Sequence, residues 1–317
     1  MTAATGVLLL TFGSAVTAAD VPDYLLSVRG GTPASEEVVA EFQRRYALIG
    51  RSPLVDITGE QCDALQRLLD GEHGPHSFVV GTGMLHSAPR VDDAVAALVA
   101  RGVQRIIGII LSPQYSEQIM SGYGQTLGES GARHNVAVTI APAWYDLPRF
   151  IDCLGVAVTT ALAGFDPGVR DRLPVIFTAH SLPRRVVDRD PAYVESLRET
   201  ARTIAERAGL PPERWKFAYQ SAGHSPEDWL KPDFKELLPG LRDDGWREVL
   251  VVPTQFVADH LEVLYDIDIA GAEEAAELGM TFRRIAMPNI APAFIRVLAD
   301  VVGRELSAGA RTEAHTS

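Results

Sequence analysis

Eight short aliphatic runs set among longer amphipathic segments predict a two-lobed α/β protein, each lobe a four-stranded parallel sheet flanked by helices. Three observations carry that expectation. β-branched or aliphatic runs alternate with helical patterns along the whole chain, as in a parallel sheet covered by helices. The intervening segments keep helical phase: Val91, Val95, Leu98 and Val99 share a face, as do Tyr193, Leu197, Ile204 and Ala208. The runs also divide four and four about a stretch, 163–174, that contains Gly, Pro and four charges.

In chain order, the first four strands are expected at 7–12, 78–81, 105–111 and 136–140. The second four fall at 175–179, 217–221, 249–253 and 281–286. Ile290, Phe294, Val297, Leu298 and Val301 make one apolar stripe, so a final amphipathic helix returns to the first lobe. The expected organisation is a first lobe over 1–165 completed by a helix at 287–306, a second lobe over 173–286, and a small, polar, frayed tail at 307–317.

The chain is 317 residues long, 46% hydrophobic and 22% charged, room for two ordinary cores. A net charge of −12 excludes the broad basic footprint of a nucleic-acid binder and can attract metal cations. The longest aliphatic runs, 7–10 and 106–111, are far shorter than the ~20 residues of a membrane helix, so no stable membrane insertion is expected. Residues 1–6 place no Lys or Arg before their short apolar run, unlike a secretory signal. Cys62 and Cys153 form no CxxC pair. Two cysteines exclude an iron–sulfur cluster held by four cysteines of one chain, and they suit a reducing cytoplasm.

Open α/β sheets bind ligands beyond the carboxyl ends of their strands. The residues there are Gly13-Ser14, 83–86, 112–115, Trp144-Tyr145, His180-Ser181, 221–224 and 254–262. Two of these stand apart. At 178–183 an apolar strand runs into His180 and is stopped by Pro183, which puts an imidazole at the sheet rim, where it can take a proton near neutral pH or ligate a metal. A strand-end histidine that merely bonds a neighbouring loop accounts for that position equally well. At 256–268 a helix opens after a strand. Asp259 and Glu262 have capping-box spacing, which favours a structural cap. Glu262, Asp266 and Ile269 nonetheless share one helical face, and two carboxylates so placed form an acidic ladder suited to a hydrated divalent cation. His260 points elsewhere on that helix and is assigned a structural hydrogen bond. Gly122-Tyr123-Gly124 lacks the third glycine of a dinucleotide fingerprint, and no GxxxxGK, GxSxG or HExxH is present.

At these two runs the sequence resembles the ferrochelatases. His180-Ser181-Leu182-Pro183 and the FVADHLEVLYDID run at 256–268 are similar to that family's most specific motifs, in order and spacing. Further similarity lies at Ser52-Pro53-Leu54 with Gln61, Trp144-Tyr145-Asp146, the 219–223 run with Pro226, Trp229-Leu230 and Pro232-Asp233, and Met287-Pro288-Asn289. The resemblance implies two Rossmann-like, chelatase-type lobes with the active-site cleft between them. It also implies insertion of Fe²⁺ into a porphyrin in heme biosynthesis. His180 would ligate metal or take a pyrrole proton, Glu262 would be its partner, and Asp266 would belong to the acidic approach for the metal.

Iron would be a substrate, with no permanently bound cofactor and no iron–sulfur cluster. Removing two pyrrole protons calls for a base near neutrality, and Fe²⁺ accepts imidazole and carboxylate. Phe12, Ile119, Met120, Tyr123, Trp144 and Trp229 could wall the macrocycle. Arg29, Arg45, Arg51, Ser52 and Gln61 would hold propionates. Ser221 joins the porphyrin set through the 220–223 run, which resembles soluble forms that use coproporphyrin III; protoporphyrin IX is the other candidate. Three departures stand out: Phe12 where relatives often carry tyrosine, Gly30 where some carry a second arginine, and Ala270 where a further acid would extend the ladder. The chain is expected to be a cytoplasmic monomer that makes transient contact with heme-pathway enzymes. The competing readings are a cobalt chelatase of the same fold and a non-catalytic tetrapyrrole or metal carrier.

Overall fold

The structure, a computed structural model, describes residues 4–223 and 226–316, with side chains described through Ala308. Its strands are β1 (Thr5–Thr11), β2 (Phe78–Met84), β3 (Arg105–Ile110), β4 (Ala137–Ile140), β5 (Val175–His180), β6 (Trp215–Gln220), β7 (Glu248–Pro253) and β8 (Thr281–Arg284). They form two four-stranded sheets of order β2-β1-β3-β4 and β6-β5-β7-β8, every pair parallel. All eight expected strands are present. β2 runs past its expected end because its glycines serve packing: a Cβ on Gly83 would lie 3.1 Å from the Val91 Cα.

The first compact unit comprises the chain up to Trp144 together with the segment from Asn289 onward. Its central strand is fully buried from Val7 to Leu10. The helix Val91–Ala100 covers one face with Val91, Ala94, Val95 and Leu98, while Val99 stays at the margin of that core. The last helix, Pro292–Thr316, packs on the helix Leu54–His73 and on β3. It buries Phe294, Val297, Leu298 and Val301, as the stripe predicts. It starts later than expected, after Asn289 with its positive φ of 43°, and continues through the segment expected to fray. Ser317 lies outside the described residues.

The second unit runs from Tyr145 to Pro288. This differs from the expected boundary at 163–174. The helix Pro148–Ala163 packs against the helix Pro191–Arg207 of the second unit. Phe150, Leu154 and Val158 are wholly buried there. A Cβ on Gly155 would come within 2.8 Å of the Arg207 side chain, so glycine permits the close approach. The expected linker holds a short helix, Pro167–Arg170, capped by the Asp166 carboxylate, which accepts from Gly168 N–H at 2.7 Å. Among the described residues no helix is long and apolar enough to cross a membrane.

Candidate active site

β5 is the second strand of its sheet and is covered on both faces from Val175 to Ala179, so His180 is the first side chain along it to reach solvent. The His180 backbone N–H donates to Gln255 Oε1 at 2.9 Å, and Gln255 Nε2 donates to the buried Tyr193 hydroxyl at 2.5 Å. Its ring Nδ1 bonds the Ser181 carbonyl. That contact leaves Nε2 turned outward, 3.5 Å from Glu262 Oε1.

Glu262 begins a π-helix, Glu262–Gly271. Bonds run i→i+5 in such a helix, so residues four and five apart share a face. Val263, Ile267 and Gly271 are buried at spacings of four, and Glu262, Asp266 and Ala270 make the adjacent stripe. A Cβ on Gly271 would meet the Phe234 ring at 2.7 Å, which shows how tightly this helix sits on its core.

The expected capping box is not made. The helix has no side-chain cap, and the Asp259 carboxylate instead accepts from Arg284 Nη2 at 2.8 Å. The ion pair with a half-buried guanidinium outcompetes a cap. His260 makes the structural hydrogen bond expected of it, though from outside the helix. It precedes the helix, with Nδ1 3.0 Å from the Ala258 carbonyl and Nε2 3.4 Å from Glu262 Oε2. Phe256 packs edge-on to both the His180 and His260 rings.

The electrostatics follow from this arrangement. Burial favours neutral His180, but the charge and hydrogen bond of Glu262, the Ser181 carbonyl and the charge of Asp266 override it, and the imidazole is raised above its ordinary value. Burial likewise opposes ionisation of Glu262, yet the His180 and His260 imidazoles hold it well below the usual carboxylate range. The pair is therefore an ionised carboxylate beside a base that holds its proton at neutral pH more readily than free imidazole.

Asp266 acts on His180 through its charge. Among the described residues no three His, Cys, Asp or Glu groups are gathered as a ready metal cage. His180 and Glu262 are brought together, and Asp266 stands on the same stripe of the helix without completing a three-ligand set. Ser221 follows β6 with φ of 58°, and its buried hydroxyl has no hydrogen-bond partner among the described residues.

The first unit carries the remaining expected site residues, and it sorts them. Phe12 follows β1, is 44% exposed, and packs at a tilt against His86 with ring centroids 4.4 Å apart. Burial and the Arg90 charge lower the His86 imidazole, whose Nδ1 lies 3.1 Å from Ser27 Oγ. Arg29 is exposed beside the end of the helix Val21–Val28, and its Nε bonds the Thr32 carbonyl. Arg51 pairs with Asp56 at 2.5 Å on an exposed surface, a pairing weak enough to be exchanged for a ligand carboxylate. Arg45 is only 16% exposed and is held by Glu41 at 2.8 Å, so it is less open to a propionate.

Three expected contacts lie inside the unit. Ser52 is 1% exposed, and its hydroxyl accepts from Ser14 Oγ at 2.9 Å, which in turn meets the Tyr46 hydroxyl at 2.9 Å. Gln61 is fully buried and donates to the Asn289 carbonyl at 2.9 Å, tying the helix Leu54–His73 to the start of the final helix segment. Tyr123 belongs to the core around Leu10 and Leu127, and its hydroxyl is pushed up by burial. Trp144 is also core, donating to the Ile110 carbonyl at 3.1 Å.

Sequence reasoning passed over Gln255, Tyr193, His86 and Arg284. Gln255 and His86 lie within the strand-end positions, where position is a signal; Tyr193 reads as part of a helix face, and Arg284 falls within an expected strand with nothing to single it out. His224 lies outside the described residues.

Comparison with known proteins adds four findings. Residues 4–306 match the family model described as Ferrochelatase. A ferrochelatase of Herpetosiphon aurantiacus is 38% identical over 95% of this chain and 99% of that protein. A coproporphyrin III ferrochelatase of Halalkalibacterium halodurans is 35% identical over 95% of this chain and 97% of that protein. Among solved structures, SirB from Bacillus subtilis with Fe3+ aligns over 98% of both chains with a TM-score of 0.57 at 14% identity, a likeness of fold.

Proposed function

The chain belongs to the ferrochelatase family, and from that premise we propose that it inserts Fe²⁺ into a porphyrin, coproporphyrin III in preference to protoporphyrin IX, in heme biosynthesis. The observation that carries this reading is the His180–Glu262 pair at the end of β5. Insertion exchanges two pyrrole N–H protons for one Fe²⁺. Neutral His180 accepts one pyrrole proton at Nε2, the nitrogen left outward by the Ser181 contact, and passes it to solvent before taking the second, so both protons leave to water. Glu262 stays ionised and offers its carboxylate to the iron, with Asp266 on the same helical stripe along its approach. The base and the carboxylate then do different work, which a carrier would not need.

Iron enters as a substrate, and the reading includes no resident cofactor; with Cys62 and Cys153 the only cysteines, one chain offers no four-cysteine cluster. The preference for coproporphyrin III is supported by the names of several relatives and by exposed Arg29 and Arg51, which suit a porphyrin with four propionates. Such a porphyrin is water-soluble and needs no membrane docking, which supports the reading of a cytoplasmic enzyme. Anaerobic turnover with Fe²⁺ and each porphyrin, in detergent-free buffer, tests both parts. No product with either porphyrin refutes the activity. A higher kcat/KM for protoporphyrin IX refutes the preference alone.

A further inference from the structure

Four carboxylates crowd the segment that carries Glu262: Asp259, Glu262, Asp266 and Asp268. Two of them share one cation. Arg284, the last residue of β8, is 14% exposed and reaches across the segment. Its Nε donates to Asp268 Oδ1 at 2.7 Å and its Nη2 to Asp268 Oδ2 at 2.8 Å, a bidentate pair. The same Nη2 donates to Asp259 Oδ1 at 2.8 Å, and Nη1 to the Ile285 carbonyl at 2.9 Å. Asp259 precedes Glu262 by three positions and Asp268 follows Asp266 by two. One guanidinium therefore brackets the acidic stripe at both ends and anchors it to the sheet.

We propose that Arg284 is a positioning and specificity residue for the metal substrate. It fixes the π-helical register that sets Glu262 and Asp266 on one stripe. It also keeps Asp259 and Asp268 engaged with a fixed cation, so that the incoming divalent ion meets only the other two carboxylates. The inference rests on the reading that Glu262 and Asp266 receive the metal. Lysine cannot replace this arrangement, because a point charge supplies neither the bidentate fork nor a second reach to Asp259.

The test uses the full chain with Arg284→Lys and Arg284→Met. Partners that orient metal ligands typically change metal affinity roughly 10–100-fold when lost, so both variants should raise the KM for Fe²⁺ at least about tenfold while the KM for porphyrin stays near wild type. Titration with Mn²⁺, with free ion counted by its paramagnetic resonance, should show an additional bound ion in Arg284→Met. Adding Asp259→Asn and Asp268→Asn to that variant should remove the extra ion. A purely structural arginine would lower the melting temperature and leave the Fe²⁺ KM and Mn²⁺ stoichiometry of the folded protein unchanged; that result overturns the inference. Should Arg284→Met not fold, Arg284→Lys decides by the split between metal and porphyrin KM. A wild-type protein inert toward Fe²⁺ would refute the proposed function, while the Mn²⁺ counts would still decide the role of Arg284.

Discussion

His180 Nε2 stands 3.5 Å from Glu262 Oε1, and each residue moves the other's proton affinity: the imidazole upward, the carboxyl downward. Neither shift follows from burial, which opposes both charged forms. The pair is an electrostatic unit, and the expected behaviour of variants follows from that coupling.

If neutral His180 is the base, kcat/KM rises with pH through a value above the ordinary 6.5 of histidine. Glu262→Gln removes the larger of the two charges that lift the imidazole and leaves burial, which lowers it, opposed only by the Ser181 carbonyl and the charge of Asp266. The rising limb of the profile in this variant is therefore expected at lower pH, on a much reduced maximum. A limb that stays in place under Glu262→Gln would assign the titration to another group.

His180→Ala removes the base and one arm of the pair while leaving the strand hydrogen bond from its backbone N–H to Gln255. The protein is expected to fold with unchanged circular dichroism and to lose insertion by roughly a hundredfold or more, the usual worth of a positioned base. Activity within a few-fold of wild type would remove His180 from the chemistry.

His260 grips the second oxygen of Glu262 at 3.4 Å and helps hold it ionised. His260→Ala should raise the KM for Fe²⁺ more than it lowers kcat, because it frees the carboxylate to turn without removing it. Equal effects on kcat and KM for porphyrin would instead point to a collapsed loop.

Phe12 presents an exposed face backed by His86. Phe12→Ala is expected to weaken porphyrin binding, measured by fluorescence quenching, by about 1–2 kcal/mol of lost apolar contact, and to spare the KM for iron. The opposite pattern would place Phe12 on the metal path.

Gln61 reads in sequence as a propionate contact, and its burial makes it a latch to the Asn289 carbonyl. Gln61→Ala should cost about 1–3 kcal/mol in denaturant unfolding, the price of breaking a buried hydrogen bond, with porphyrin KM unchanged. A stable variant with a raised porphyrin KM would restore the ligand role.

Eight aliphatic runs and the phase of the segments around them determined the two sheets, because a strand covered on both faces and a helix covered on one leave periods that any reader of the chain can count. The family, and His180 with Glu262, were legible because they stand in ordered motifs. Tertiary structure alone decided the rest. Helix Pro148–Ala163 joined the second unit because its buried face found Pro191–Arg207, a choice among partners that no local pattern records. Ser52, Gln61, Tyr123 and Glu262 are polar residues that sequence places near a site without saying which way they face. The first three turned into a core and the last toward an imidazole. Arg284 could not be singled out at all, since its meaning lies in two carboxylates brought to it by the fold. Periodicity is a property of neighbours along the chain; charge pairing and burial of single polar groups are properties of neighbours in space.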